Sequence, residues 1–191
     1  MSSHHCLPLA LLLGTLTSCS HQPSLPVYWQ IPPFQLTAQT GQPFDSKTLA
    51  GDIWVADFIY TSCPGPCPRM SSQMRGVQAA IAALPDVKLL SFTVDPQNDT
   101  PATLAAYATR YRAEPGRWFF LTGAQSTLQD LCRNGFKLGN VDGSMTHSTR
   151  FVLVDRHSRV RGFYNPTTED GAVTHLLRDI HALEKETDVR S

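Results

Sequence analysis

At 191 residues, 41% hydrophobic and 17% charged, the chain has the size of one compact domain with a short appendage rather than of two domains. Its 16 basic residues balance its 16 acidic ones, so no basic surplus exists to track a phosphate backbone and nucleic acid is not an expected partner. Neither internal repeats nor low-complexity runs are present, which argues against solenoid and disordered classes.

In chain order, the first informative stretch is residues 7–16, an apolar run well short of the roughly 20 residues that span a bilayer. It reads as the core of a signal peptide over residues 1–18, although the preceding residues carry no Lys or Arg. The run ends in Leu16-Thr17-Ser18-Cys19, small residues before a cysteine, which resembles a bacterial lipobox. That resemblance implies lipidation of Cys19, an anchor in the cell envelope and a domain facing the periplasm. With Cys6 removed and Cys19 acylated, Cys63, Cys67 and Cys132 remain. Two of these lie four positions apart, a functional pair rather than a disulfide framework.

Residues 19–43 are rich in Pro, Gln, Ser and Thr and read as a membrane-proximal linker, with the folded domain over residues 44–187. The run at residues 53–60 is β-branched, aromatic and nearly continuously apolar, as in a strand buried on both faces. The cysteine segment follows, and apolar residues at helical spacing predict a helix over 69–84, stopped by Pro85. A second buried strand is expected at 87–94, then a helix capped by Thr100, opened by Pro101 and running to about Arg112. Beyond it come a short strand at 118–121, a short helix at 126–132, a hairpin of strands at 151–154 and 160–164 closed by Asp155, and an amphipathic helix at 171–185. This order predicts an α/β fold, thioredoxin-like, with a central mixed sheet flanked by helices and a closing hairpin and helix. The cysteines then sit at the carboxyl end of a central strand, where such sheets place their sites.

The densest chemistry lies in Thr61-Ser62-Cys63-Pro64-Gly65-Pro66-Cys67-Pro68. Thiols at a strand-to-helix junction meet unpaired backbone N–H groups and the positive end of the helix dipole, which favour thiolate. Each proline disfavours helical geometry in the residue before it, so the helix is expected to start at Pro68 with both sulfurs outside it. Two soft thiolates on a stiff loop suit Cu(I), and the same pair could close a disulfide. Downstream, Met145-Thr146-His147-Ser148-Thr149 precedes the strand at 151–154. In a thioredoxin-like fold this loop faces the cysteine loop, which makes His147 the candidate third ligand and leaves Met145 open as a thioether ligand. Met70, Met74 and Cys132 read as core, and His21, His157, His175 and His181 as surface residues without metal-ligand spacing. Asp95 and Asp99 read as turn and cap residues ahead of the helix at Thr100.

Four blocks in sequence, Tyr60-Thr61-Ser62-Cys63-Pro64 with Cys67-Pro68, Val94-Asp95-Pro96-Gln97-Asn98-Asp99-Thr100-Pro101, Trp118-Phe119-Phe120-Leu121-Thr122-Gly123 and His147-Ser148-Thr149, resemble the Sco (SenC) family in the same order. The resemblance implies copper, as Cu(I) and in some states Cu(II), bound by Cys63, Cys67 and His147. It also implies a role in assembling the dinuclear copper centre of cytochrome c oxidase, with subunit II or another copper acceptor as partner. Where many members carry an acidic residue two places after the first cysteine, this chain has Gly65. The competing expectation is a specialised thiol:disulfide oxidoreductase using Cys63 and Cys67 to reduce the acceptor. A general reductase is disfavoured because thioredoxins use Cys-x-x-Cys and a cis-proline where this chain has Thr146. A peroxidase is disfavoured because Thr61 lies two residues before Cys63, not three.

Overall fold

The computed structural model describes residues 24–139 and 148–186. The stretch read as a signal peptide, Cys19, Met145 and His147 therefore lie outside the described residues. Among the described residues, seven strands form one sheet: β1 (Gln35–Ala38), β2 (Pro43–Asp45), β3 (Ile53–Ile59), β4 (Val87–Thr93), β5 (Trp118–Thr122), β6 (Phe151–Val154) and β7 (Val160–Tyr164). Their spatial order is β2-β1-β5-β4-β3-β6-β7. β3, β4 and β5 run parallel, while β1, β2, β6 and β7 join antiparallel to their neighbours. The sheet is thus mixed, as expected.

Continuous apolarity marks the middle of the sheet, where all seven residues of β3 are buried. Ile53, Val55 and Ile59 face a core closed by the helices α1 (Cys67–Ala80), α2 (Pro101–Arg110) and α4 (Ala172–Lys185). Trp54, Ala56 and Phe58 face a second core made with α3 (Gln125–Asp130), the turn of π-helix after it and the N-terminal segment. Both parallel crossovers place their helices on the same face because β3, β4 and β5 advance across the sheet in one direction and each connection is right-handed. Pro101 opens α2 behind Thr100, whose hydroxyl accepts from the Thr103 N–H. Met70, Met74 and Cys132 are core residues, and His157, His175 and His181 are exposed, as the sequence pattern predicts.

One expectation is corrected. The stretch read as a linker to residue 43 is, from about residue 24, part of the domain: β1 and the first residue of β2 lie in it, and Ile31, Phe34, Leu36 and Ala38 are buried. Its prolines flank β1 rather than interrupt it, Pro26, Pro32 and Pro33 before it and Pro43 at the start of β2. Backbone bonds between Tyr28, Trp29 and Val160, and between Ile31 and Ser158, dock the segment along the β7 edge. Proline density signals a spacer only where apolar residues are too few to pack, and here every second residue of β1 faces the core.

Candidate metal and redox site

β3 ends at Ile59 and the chain turns through residues 60–66 before entering α1, so the cysteine loop sits at the carboxyl end of the central strand. Cys67 is the first residue of α1, one position earlier than the proline pattern predicts. Pro66 itself adopts helical angles (φ −74°, ψ −27°), and its carbonyl accepts from the Met70 N–H. Packing overrides the local bias against helix at Cys67, because the helix must start there to bury Cys67 and Met70 side by side. Cys67 is wholly buried and Cys63 is 7% exposed, and both are free thiols.

The two sulfurs are electrostatically unequal. Burial pushes the Cys63 thiol up, but hydrogen bonds from the Cys67 thiol, the Cys67 and Gly65 backbone N–H groups and the Tyr60 hydroxyl outweigh it and bring Cys63 below the ordinary thiol range. Burial, reinforced by its hydrogen bond to Cys63, holds Cys67 far above that range. Tyr60, through its bond to Cys63 and then its partial burial, is pushed up to about 12 and stays a donor at neutral pH. Cys63 is therefore the thiolate-forming, outward sulfur and Cys67 the inner, proton-holding one. Alkylation with iodoacetamide is expected at Cys63 first, with an apparent pKa below that of a free cysteine. Tyr60→Phe removes one donor and moves that profile to higher pH. An unmoved profile would show that the phenol does not act on the sulfur.

The loop is fixed from beside by the connection between β4 and α2. The buried Asp99 carboxylate accepts from the Thr61 N–H (3.2 Å to the nearer oxygen), the Thr61 hydroxyl (2.5 Å) and the Thr93 hydroxyl (2.5 Å). The expectation that Asp99 serves the helix cap is thus corrected: Thr100 caps α2, and Asp99 clamps the cysteine loop to the neighbouring strand. Asp95 does close its turn, accepting from Asn98 at 3.1 and 2.9 Å. Beneath the cysteines, the Ser71 and Tyr107 hydroxyls bond at 3.0 Å between α1 and α2.

The sequence pattern misses Tyr60, Asp99 as a clamp, and Asp57. Asp57 is a wholly buried acid inside β3, on the α1 side, whose charge bears on Cys67. Its signal is a lone carboxylate within an otherwise apolar run.

Among the described residues, no cluster of three His, Cys, Asp or Glu side chains forms. The cysteine pair is brought together and any third ligand must come from elsewhere. β6 pairs antiparallel with β3, Val152 opposite Ala56 and Val154 opposite Trp54. The chain at Ser148–Arg150 therefore enters the sheet at the end where β3 runs into the cysteine loop. This arrangement can bind a soft metal or undergo thiol–disulfide exchange.

The SCO1/SenC family model matches residues 28–182. The chain belongs to the SCO1/SenC family. It is 32% identical over 166 residues to the SCO1 protein homolog of Bacillus subtilis, covering 83% of this chain and 86% of that one. Among solved structures it is similar to BsSco, a member of the Sco family of cytochrome c oxidase assembly proteins in which a disulfide switch was identified. The identity is 30%, the TM-score 0.76, and the match covers 87% of this chain and 100% of that one. ScoI of Bradyrhizobium japonicum, solved with copper bound, is 26% identical, with TM-score 0.64 over 78% of this chain and 98% of that one. These SCO1/SenC structures share the thioredoxin-like fold that the sequence pattern predicts.

Proposed function

We propose that this SCO1/SenC protein is a copper metallochaperone that binds the ion through Cys63, Cys67 and His147. It delivers copper for the dinuclear centre of cytochrome c oxidase, subunit II being the first acceptor to consider. The observation that carries this reading is the pair of reduced, hydrogen-bonded thiols at the β3–α1 junction, one disposed to ionise and one buried beside it. Sulfur donors of that kind favour Cu(I) over harder ions. An imidazole arriving from the segment before β6 would complete a three-coordinate set without displacing either sulfur. Copper is cargo here: a ligand set with one accessible sulfur lets an acceptor's thiol enter at Cys63 while Cys67 still holds the ion. Lipidation at Cys19 would place this exchange at the periplasmic face of the membrane.

A second reading rests on the same inequality of the thiols. A thiolate-prone outer sulfur and a protonated inner one are the attacking and resolving roles of a disulfide reductase. The two readings part on one experiment. The full-length protein, reduced and loaded with Cu(I), is expected to bind one ion per chain, and Cys63→Ser and His147→Ala each to lose at least about tenfold in affinity, the loss of one strong contact. Full affinity in His147→Ala, together with surviving disulfide-reducing activity, would favour the reductase.

A further inference from the structure

Where the chain enters the domain, the edge of the sheet at β7 carries an aromatic patch open to solvent. The entering segment is tied to β7 through its backbone: the Tyr28 N–H donates to the Val160 carbonyl (3.0 Å) and the Trp29 carbonyl accepts from the Val160 N–H (2.8 Å). Trp29 is partly buried and donates its indole N–H to the Gly135 carbonyl at 2.7 Å. Its neighbours point out. Val27 is 53% exposed and Tyr28 51%, and among the described residues these are the large hydrophobic side chains left open to water. Single apolar residues scattered over a surface need no reason, but these two are adjacent and sit among further rings. The Tyr28 ring packs edge-on against Trp29 (centroids 5.9 Å) and against the partly buried Phe163 (5.5 Å), and Trp29 meets Phe163 at 5.7 Å. The exposed Lys137 holds its ammonium 4.2 Å from the centre of the Trp29 ring.

Aromatic rings with a polar tip, and a lysine beside them, are the side chains that settle at the headgroup level of a bilayer. There the ring bodies leave water while the hydroxyl and the ammonium stay among phosphates. The second observation is position. Val27 follows Cys19 by eight positions, at most about 27 Å of chain. Ser20, His21, Gln22, Pro23 and Ser24 carry no large apolar side chain, and Leu25 packs against the core on the α1 side, so the leash itself has nothing to cover the patch. A tether also reduces the affinity such a contact needs, because the patch then meets the membrane at an effective concentration near millimolar.

We propose that Val27, Tyr28, Trp29, Phe163 and Lys137 form a face that rests on the headgroup layer of the bilayer. This depends on the reading of Cys19 as a lipid anchor and deepens it: the anchor limits how far the domain strays, and the face sets which side it turns to the membrane. The cysteine loop, at the end of β3, is separated from this edge by β6.

The test uses the full-length protein, produced in a host that processes lipoproteins and reconstituted in phosphatidylcholine–phosphatidylglycerol vesicles. A fraction of the lipid carries a nitroxide near its headgroup, and the intact mass separately reads acylation of Cys19. Trp54 and Trp118 are 1% and 0% exposed, so Trp29 is the tryptophan placed to meet the nitroxide. Emission is expected to fall by roughly a third on labelled vesicles, the share of one tryptophan in three, and Trp29→Phe to abolish that loss. The paired change Val27→Ser and Tyr28→Ser, and separately Lys137→Glu, all at exposed positions, are expected to reduce the quenching by about half or more. An unacylated Cys19 overturns the anchor reading and this contact with it. An acylated chain whose emission is not quenched, or is quenched equally after the paired change, overturns the contact alone. Undiminished quenching in Lys137→Glu overturns the place given to the cation. A Trp29 blue shift that grows with protein concentration in lipid-free micelles would assign the patch to a second copy, and overturns the proposal too.

Discussion

Arg161→Met is expected to lower the unfolding free energy by about 3–5 kcal/mol, the cost of removing one partner from a buried charge cluster. Arg161 is 3% exposed and binds on every side. It meets Asp155 at 2.9 Å, Glu186 at 2.8 and 2.9 Å, and the backbone carbonyls of Leu25 and Pro26 at 2.8 and 2.9 Å. One guanidinium thus joins the hairpin, the end of α4 and the entering chain. Losing it leaves Asp155 with Arg159 as its ion-pair partner and strips two carbonyls of their donor. Arg161→Lys keeps the charge but cannot reproduce the forked geometry, so it should fall between wild type and methionine. Glu186→Gln should cost less, because that carboxylate is about one-third exposed and screened. Urea unfolding of the three variants checks the order, and limited proteolysis should cut the segment near residue 25 faster in Arg161→Met. A loss below about 1 kcal/mol would show that the cluster is dispensable.

The second large effect concerns pH. Burial raises Asp57 to about 7, offset only in part by the Ser91 hydroxyl opposite it in the β4 register, and neither carboxyl oxygen makes a hydrogen bond of ordinary geometry. The folded state therefore holds a proton that the unfolded chain releases above its ordinary carboxylate pKa. For such a raised acid, this group's contribution is most favourable at low pH and declines as pH rises from about 4 to 7. Above that it levels off at a deficit of up to about 4 kcal/mol, from a shift of about three units. Asp57→Asn abolishes the titration and keeps the shape. Its stability relative to wild type is expected to rise by about 2–4 kcal/mol between pH 4 and pH 8, measured by urea unfolding at each pH. Parallel pH profiles for the two proteins would mean that the carboxyl is solvated or paired in solution. A protein that retains such a residue on the strand feeding its thiols accepts lower stability for a polar group at that place.

The same acid shows what the sequence conveys and what it hides. The strands at Ile53–Ile59, Val87–Thr93 and Phe151–Val154 are legible because burial on both faces demands mostly apolar runs, and Thr100-Pro101 announces α2 by its own chemistry. Asp57 hides within such a run, since hydropathy patterning averages over a single charge. β1 hides for the opposite reason: four residues between prolines and polar neighbours carry too short an alternation to stand out, and their partner β5 lies more than 80 residues away. Cys63 and Cys67 are legible as a pair from spacing alone. Their inequality is not, because it arises from the Tyr60 hydroxyl, the helix start at Cys67 and differential burial, all of which require the fold. Asp99 is visible as a turn residue, but its hold on Thr61 spans 38 positions and belongs to tertiary structure.

The grip of Arg161 on Leu25 and Pro26 also fixes where the polypeptide leaves the domain. Asp155 and Glu186, its other partners, sit beside the hairpin turn and the last residues of α4, at the pole away from the thiols. Leu25 follows Cys19 by six positions, a leash of roughly 20 Å at full stretch. A lipid on Cys19 would hold that pole close to the bilayer and turn the sulfurs outward, toward partners that stand well clear of the membrane surface.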